Sequence, residues 1–373
     1  MKKSKRILPV LAAAVVALSV GLGGCTGSPA SSPNPSGSGS ETAAATLDVG
    51  LLGTSIKPVG VIVANAKGYF EEEGVKINIQ KVSSMNDAYL AVSMGDLDVY
   101  LFSSTAAATF IAQGTTTLRV FGGTAAEGSE IMAAKDKNLT IETPEDFVGL
   151  TIACQMPETG QMVLKDFLKQ KGYTIGGPGD NADVTFVYVN DHSTAMEGCI
   201  KGEYDLCITN ACLGYYADDY GVDVVAAVKD FVETYPCCRQ TCNQTTYETE
   251  ADALVKFEIA TLRGYDFYQK DPEGTLDILE QYSGEDRDFL RAQVYGTDTY
   301  TPVMRLFPDP DKTACVQFYK GLENIGEITD AVDVNWDQYV VTDIYQTALS
   351  TLAAREPDNA LWTQLTEYFN THN

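Results

Sequence analysis

The sequence predicts an α/β protein of two lobes, each a mainly parallel sheet flanked by helices, with a helical C-terminal third. Strand-like and helix-like segments alternate from residue 46 to about 122. The same alternation restarts at Leu150, and from about Thr245 apolar residues recur at spacings of three and four almost to the end. A chain of 373 residues, 45% hydrophobic and 21% charged, carries enough apolar surface for two cores.

Residues 46–52 alternate and then run apolar, as a strand does; Gly53-Thr54-Ser55-Ile56-Lys57-Pro58 breaks the pattern before a helical stretch over 59–70. Gly74 turns the chain into the alternating strand 75–79, and 86–94 forms the next helix. The strand 97–102 runs into Ser103-Ser104-Thr105, residue types that cap helix N-termini, ahead of an Ala-rich helix over 106–113. In the second lobe, strand 150–154 leads through the loop 155–160 to a helix over 161–172. Strand 184–189 leads through Asn190-Asp191 to a helix over 193–201, and strand 205–208 ends at Thr209-Asn210-Ala211.

Composition excludes several functions. Twenty-six Lys and Arg against 51 Asp and Glu give a net charge of −25, a field that repels phosphate backbones, so no nucleic acid partner is expected. Two histidines, His192 and His372, leave little for His-rich zinc sites or Ser-His-Asp hydrolysis, and no metal or cofactor is expected. Lys2, Lys3, Lys5 and Arg6 precede an apolar run over 7–22, shorter than a bilayer span and ending in small residues, which reads as an export signal over 1–24. Leu22-Gly23-Gly24-Cys25 resembles the lipobox of bacterial lipoproteins, which implies a lipid on Cys25 and attachment to a membrane without crossing it. The Ser-, Gly- and Pro-rich stretch after Cys25, to residue 45, reads as a flexible tether. Without the signal, 22 cations face 51 acids. Eight further cysteines follow, at 154, 199, 207, 212, 237, 238, 242 and 315, in spacings that match no standard zinc pattern; adjacent Cys237 and Cys238 would close a strained ring if joined, so each is expected to remain a thiol or to find another partner.

The stretch over 64–79 (ANAKGYFEEEGVKINI), with 95–104, 115–122, 145–153 and 202–211 in that order, resembles the solute-binding proteins of ABC importers in the nitrate, sulfonate, taurine and thiamine-pyrimidine branch, the NMT1/THI5-like group. The resemblance covers most of 46–345. It implies a two-lobed periplasmic-binding-protein fold of type II, with crossover strands near 126–135 and 235–240. Lobe 1 would comprise 46–130 with 241–373, and lobe 2 would comprise 131–240. It further implies a non-enzymatic monomer on the outer face of a bacterial cytoplasmic membrane, Gram-positive by its lipobox and tether, that closes over a small-molecule solute and delivers it to the transmembrane subunits of an ABC permease.

In open α/β sheets ligands lie beyond the carboxyl ends of strands, against helix N-termini. The candidate ligand-binding residues are therefore Thr54, Ser55 and Lys57 after the first strand and Ser103, Ser104 and Thr105 after the third. In the second lobe they are Glu158, Thr159, Gly160 and Gln161, then Asn190 and Asp191, and Thr209 and Asn210. Lys57 and Arg239 are the cations that could face the cleft, which suggests an anionic or zwitterionic solute such as a sulfonate, taurine or nitrate. The thiamine-pyrimidine binders usually carry a His before the first helix; here the stretch is Lys57-Pro58-Val59-Gly60, which argues against a pyrimidine ligand. Two other functions are considered. One is a pyrimidine-synthase-type enzyme of the same fold, using Cys237, Cys238 and Cys242 to hold iron. The other is an adhesin or sensor that exposes Tyr215, Tyr216, Tyr220, Trp362, Tyr368 and Phe369.

Overall fold

The computed structural model describes residues 44–329 and 334–373. The signal, Cys25 and nearly all of the tether therefore lie outside the described residues. The first lobe opens with β1 (Ala45–Leu52), whose alternation buries Leu47, Val49 and Leu51, then α1 (Val59–Lys67) and α2 (Tyr69–Glu72). One helix was expected over 59–70. Gly68, in a left-handed conformation at φ 76°, caps α1 and divides the stretch in two. There follow β2 (Val75–Val82), α3 (Met85–Met94), β3 (Val99–Tyr100), α4 (Ser104–Ala112) and β4 (Leu118–Glu127).

The second lobe contains β5 (Glu130–Ala134), β6 (Thr151–Gln155), α5 (Thr159–Gln170), β7 (Ile175–Gly176), β8 (Val184–Val189), α6 (His192–Lys201), β9 (Leu206–Thr209), α7 (Ala217–Tyr220) and β10 (Val222–Ala227). The chain then returns through β11 (Pro236–Asn243), α8 (Gln244–Thr249), α9 (Ala251–Lys270), α10 (Pro272–Ser283), α11 (Arg287–Val294), β12 (Met304–Leu306), α12 (Lys312–Ile325), α13 (Asp343–Arg355) and α14 (Ala360–His372). The short β12 interrupts a region that reads as helical throughout.

Two six-stranded sheets result, ordered β12-β4-β11-β3-β1-β2 and β10-β5-β9-β6-β8-β7. The βα units supply parallel pairs, β1 with β2 and β3, and β6 with β8 and β9. The strands beside the crossovers pair antiparallel, β11 with β3 and β4, and β5 with β9 and β10, so each sheet is mixed on that side. The chain leaves the first sheet through Gly128 and Ser129 and comes back through 228–235. The two spans are tied together, since Glu127 N donates to the Tyr235 carbonyl at 3.1 Å and Ser129 N to the Tyr235 hydroxyl at 3.3 Å. Residues 236–240, expected in the second lobe, pair with β4 in the first sheet because β11 starts directly after this tie.

Helices α9, α13 and α14 pack on the first lobe. Ile259, Leu262, Tyr345, Leu349, Trp362 and Leu365 form one buried cluster, and Phe369 joins it. Trp362 and Phe369 are core residues rather than an adhesive surface, whereas Tyr220 is exposed. Tyr216 packs its ring 4.9 Å from that of Phe289. Helices α1 and α9 cross at Gly60 and Gly264, and a Cβ on Gly264 would sit 2.1 Å from the Gly60 carbonyl oxygen. Gly264→Ala should therefore cost about 1–3 kcal/mol by forcing the helices apart. Urea unfolding checks this, and an unchanged midpoint would show that the crossing can yield.

Candidate functional site

Between the sheets lies a cleft of about 230 Å³ that takes residues from both lobes. A larger groove of about 940 Å³, beside Asp166 and Lys320 on the flank of α5 and α12, receives no strand-end residue. The strand-end residues gather in the smaller cleft. Five of the sequence candidates line it: Lys57, Ser103, Glu158, Thr159 and Asn210.

Ser103 and Glu158 are placed by helix caps. Ser103 sits between β3 and α4 in a left-handed conformation (φ 52°), which costs a non-glycine residue energy. Its hydroxyl caps α4 by accepting from Ala106 N at 3.1 Å, and Tyr89 holds the turn by donating to the Phe102 carbonyl at 2.6 Å. Glu158 caps α5, accepting from Gly160 N at 3.0 Å, Gln161 N at 2.7 Å and the Ser129 hydroxyl. Burial pushes its carboxyl up, and those hydrogen bonds oppose the shift. The α5 N-terminus, expected to greet a ligand anion, is thus filled by the chain's own carboxylate. Gly160 and Gln161 serve that cap and do not line the cleft.

The remaining candidates divide. Thr105 lies behind the cleft, its hydroxyl 3.4 Å from that of Thr159, a contact between the lobes. The Ser104 hydroxyl is buried there without a partner. Thr209 is buried against Met132, Asp191 caps α6 through Thr194 N, and Asn190 is exposed. Thr54 and Ser55 stay outside the cleft lining, Thr54 facing solvent.

Arg239, expected at the cleft, is turned into the protein interior. Its guanidinium is buried and donates to the carbonyls of Pro310 at 2.9 Å, Ala125 at 2.9 Å and Cys238 at 3.0 Å, so it does not face the cleft. Pairing of β11 with β4 shifts register between Cys238 and Arg239, and such a bulge re-aims the side chains that follow.

The cleft also holds residues that strand-tip reasoning missed: Met85, Glu127, Gln155, Met156, His192 and the pair Cys237 and Cys238. Glu127 ends β4 at φ 61°, and burial raises its carboxyl against the pull of Arg305. Burial pulls the His192 imidazole down, Lys57 adds to that shift, and the buried Nδ1 has no partner. Lys57 Nζ lies 3.4 Å from Cys237 Sγ. Burial works against the ammonium charge, but the two neighbouring sulfurs outweigh it and hold Lys57 above the usual lysine range. Cys242, the third member of the expected iron cluster, is buried further along β11. Among the described residues no group of three or more His, Cys, Asp or Glu is arranged to hold a metal. That geometry does not favour the synthase reading.

The family described as NMT1/THI5 like matches residues 56–275, more than half of the chain. The chain belongs to the NMT1/THI5-like family. No curated protein matches this family member's sequence. Among solved structures, the periplasmic aliphatic sulphonate binding protein SsuA from Escherichia coli is 16% identical with a TM-score of 0.59, covering 78% of this chain and 91% of its own. The periplasmic nitrate-binding protein NrtA from Synechocystis PCC 6803 is 12% identical with a TM-score of 0.63, covering 82% and 89%. A ligand-binding component of an ABC-type import system from Staphylococcus aureus, solved with zinc bound, is 15% identical with a TM-score of 0.59, covering 81% and 98%. These likenesses establish that this NMT1/THI5-like protein has the periplasmic-binding-protein fold.

Proposed function

We propose that this protein is an extracytoplasmic receptor that closes its two lobes over a small zwitterionic organic solute and delivers it to an ABC permease, without chemical transformation. The observation that carries this reading is the cleft itself, lined by Lys57 and Ser103 from one lobe and Glu158, Thr159 and Asn210 from the other. Loops at strand ends that converge from two sheets are where such folds hold ligands. Family membership and fold support the same reading.

Charge narrows the class. The ammonium of Lys57 and the carboxylates of Glu127 and Glu158 line one small cavity, so both signs are present. A purely anionic solute would meet one cation already matched by Cys237 and two acids. A zwitterion such as taurine suits the set better than nitrate or a simple alkanesulfonate.

Thermal unfolding in the presence of taurine, an alkanesulfonate, nitrate and a pyrimidine tests this. A ligand at about 100 times its Kd adds roughly 2.7 kcal/mol of stability. The melting temperature should rise with the zwitterion and far less with the plain anions. A panel without effect, or a bound solute converted to product, would remove the receptor reading.

The lipobox-like stretch ending at Cys25 supports a lipid-anchored receptor on the outer face of the cytoplasmic membrane, and no helix among the described residues is long and apolar enough to cross a membrane. Intact mass of the protein extracted from membranes should show a diacylglyceryl group on Cys25 that Cys25→Ser abolishes. An unmodified Cys25 would count against the anchor.

A further inference from the structure

Among the eight cysteines of the described residues, seven are buried and Cys237 is not. It lines the cleft, with the Lys57 ammonium on one side and the Cys238 sulfur 3.4 Å away on another. That separation is far beyond the roughly 2.05 Å of a disulfide bond, so both are thiols. The arrangement joins access, an adjacent cation and a neighbouring S–H donor, the microenvironment that makes a cysteine sulfur nucleophilic.

We propose that Cys237 is a modification site at which small cationic disulfides are captured by thiol–disulfide exchange. In the step, the Cys237 thiolate attacks one sulfur of R–S–S–R, the Cys237–S–S–R bond forms and the R–S–S–R bond breaks. The departing RS⁻ takes a proton from water. The Cys237 sulfur is oxidised, and half of the small disulfide is reduced to a free thiol. Lys57 supports the thiolate before attack. Glu127 and Glu158, which line the same cavity, favour a positively charged R group, as does a chain that carries 51 acidic residues against 26 basic ones.

The acid–base properties agree with this geometry. The S–H of Cys238, donating to the Cys237 sulfur, is the largest influence on it; burial opposes, and Lys57 reinforces, leaving Cys237 at about 5. Cys238 moves the other way, raised by the same contact and by burial. Burial raises the Cys154 thiol to about 12 and leaves it inert at neutral pH. Cys237 therefore carries more thiolate near neutrality than an ordinary thiol, and its exchange rate should rise less steeply with pH.

The test uses the full chain, reduced and then exposed to cystamine or, separately, to the anionic glutathione disulfide, with intact mass and peptide mapping as the readout. Peptide mapping counts Cys25 separately. Cystamine should add one half-cystamine at Cys237, reversibly by dithiothreitol, at a rate that rises less between about pH 6 and 8 than that of an ordinary thiol and is about tenfold faster than with glutathione disulfide. Lys57→Met should slow the reaction about tenfold near pH 7 and make it climb more steeply with pH, while Lys57→Arg keeps it fast; circular dichroism confirms that both variants fold. No adduct at Cys237, equal labelling of the buried cysteines in the folded protein, or an unchanged rate in Lys57→Met would overturn the proposal. So would a Cys237–Cys238 disulfide that accumulates in place of the adduct.

Discussion

Glu258→Gln should make the protein more stable by roughly 4–5 kcal/mol near pH 9 and leave it almost unchanged near pH 4.5. Glu258 lies in α9, fully buried, and neither carboxylate oxygen has a hydrogen-bond partner. Burial pushes its carboxyl up to about 8, with Gln240 opposing and Asp309 reinforcing. A carboxyl whose pKa is raised on folding stabilises the fold as long as it stays protonated. That contribution is complete below the ordinary value of 4.5 and is lost as pH climbs through about 8. Across this window each pH unit removes about 1.4 kcal/mol. The amide of Gln is neutral throughout and escapes the loss. Urea unfolding of both proteins at the two pH values reads the difference, and parallel pH dependences would show that Glu258 is ionised in the folded state at no such cost. Asp309, raised to about 6 by burial, adds a smaller decline at lower pH in both proteins.

Glu158→Ala should have two effects. It removes the acceptor for Gly160 N, Gln161 N and the Ser129 hydroxyl, all at buried positions, and unsatisfied buried donors cost about 1–3 kcal/mol each. With water entering the space, a net loss of about 2–3 kcal/mol is expected. The same change uncovers the positive end of α5 inside the cleft, so sulfate and alkanesulfonates should bind more tightly than to the parent protein, and the zwitterion should lose its advantage. Calorimetry with sulfate and taurine on both proteins measures this. A variant that binds anions no better would show that the cap does not govern which charge the cleft accepts.

These two residues illustrate what was legible in the sequence. Glu158 is the first residue before a helix that follows a parallel strand, and the ends of parallel strands can be read from the order of elements. Lys57, Ser103, Thr159 and Asn210 were legible for the same reason. Glu258 was not, because nothing in a helical repeat distinguishes a Glu buried between helices from one facing water. Glu127, Cys237 and Cys238 come from the antiparallel crossover strands, where the rule about strand ends does not apply. Arg239 was misplaced because a bulge leaves no local mark in the residues that form it. The fold class itself was readable, since alternating strands and helices admit few topologies.

The bonds from Tyr235 to Glu127 and Ser129 have a mechanical consequence. If the lobes close as proposed, the two connecting spans, tied at this point, should move together rather than slide past each other. Glu158, bonded to Ser129 beside this tie, would then keep its place in the cleft as the lobes approach.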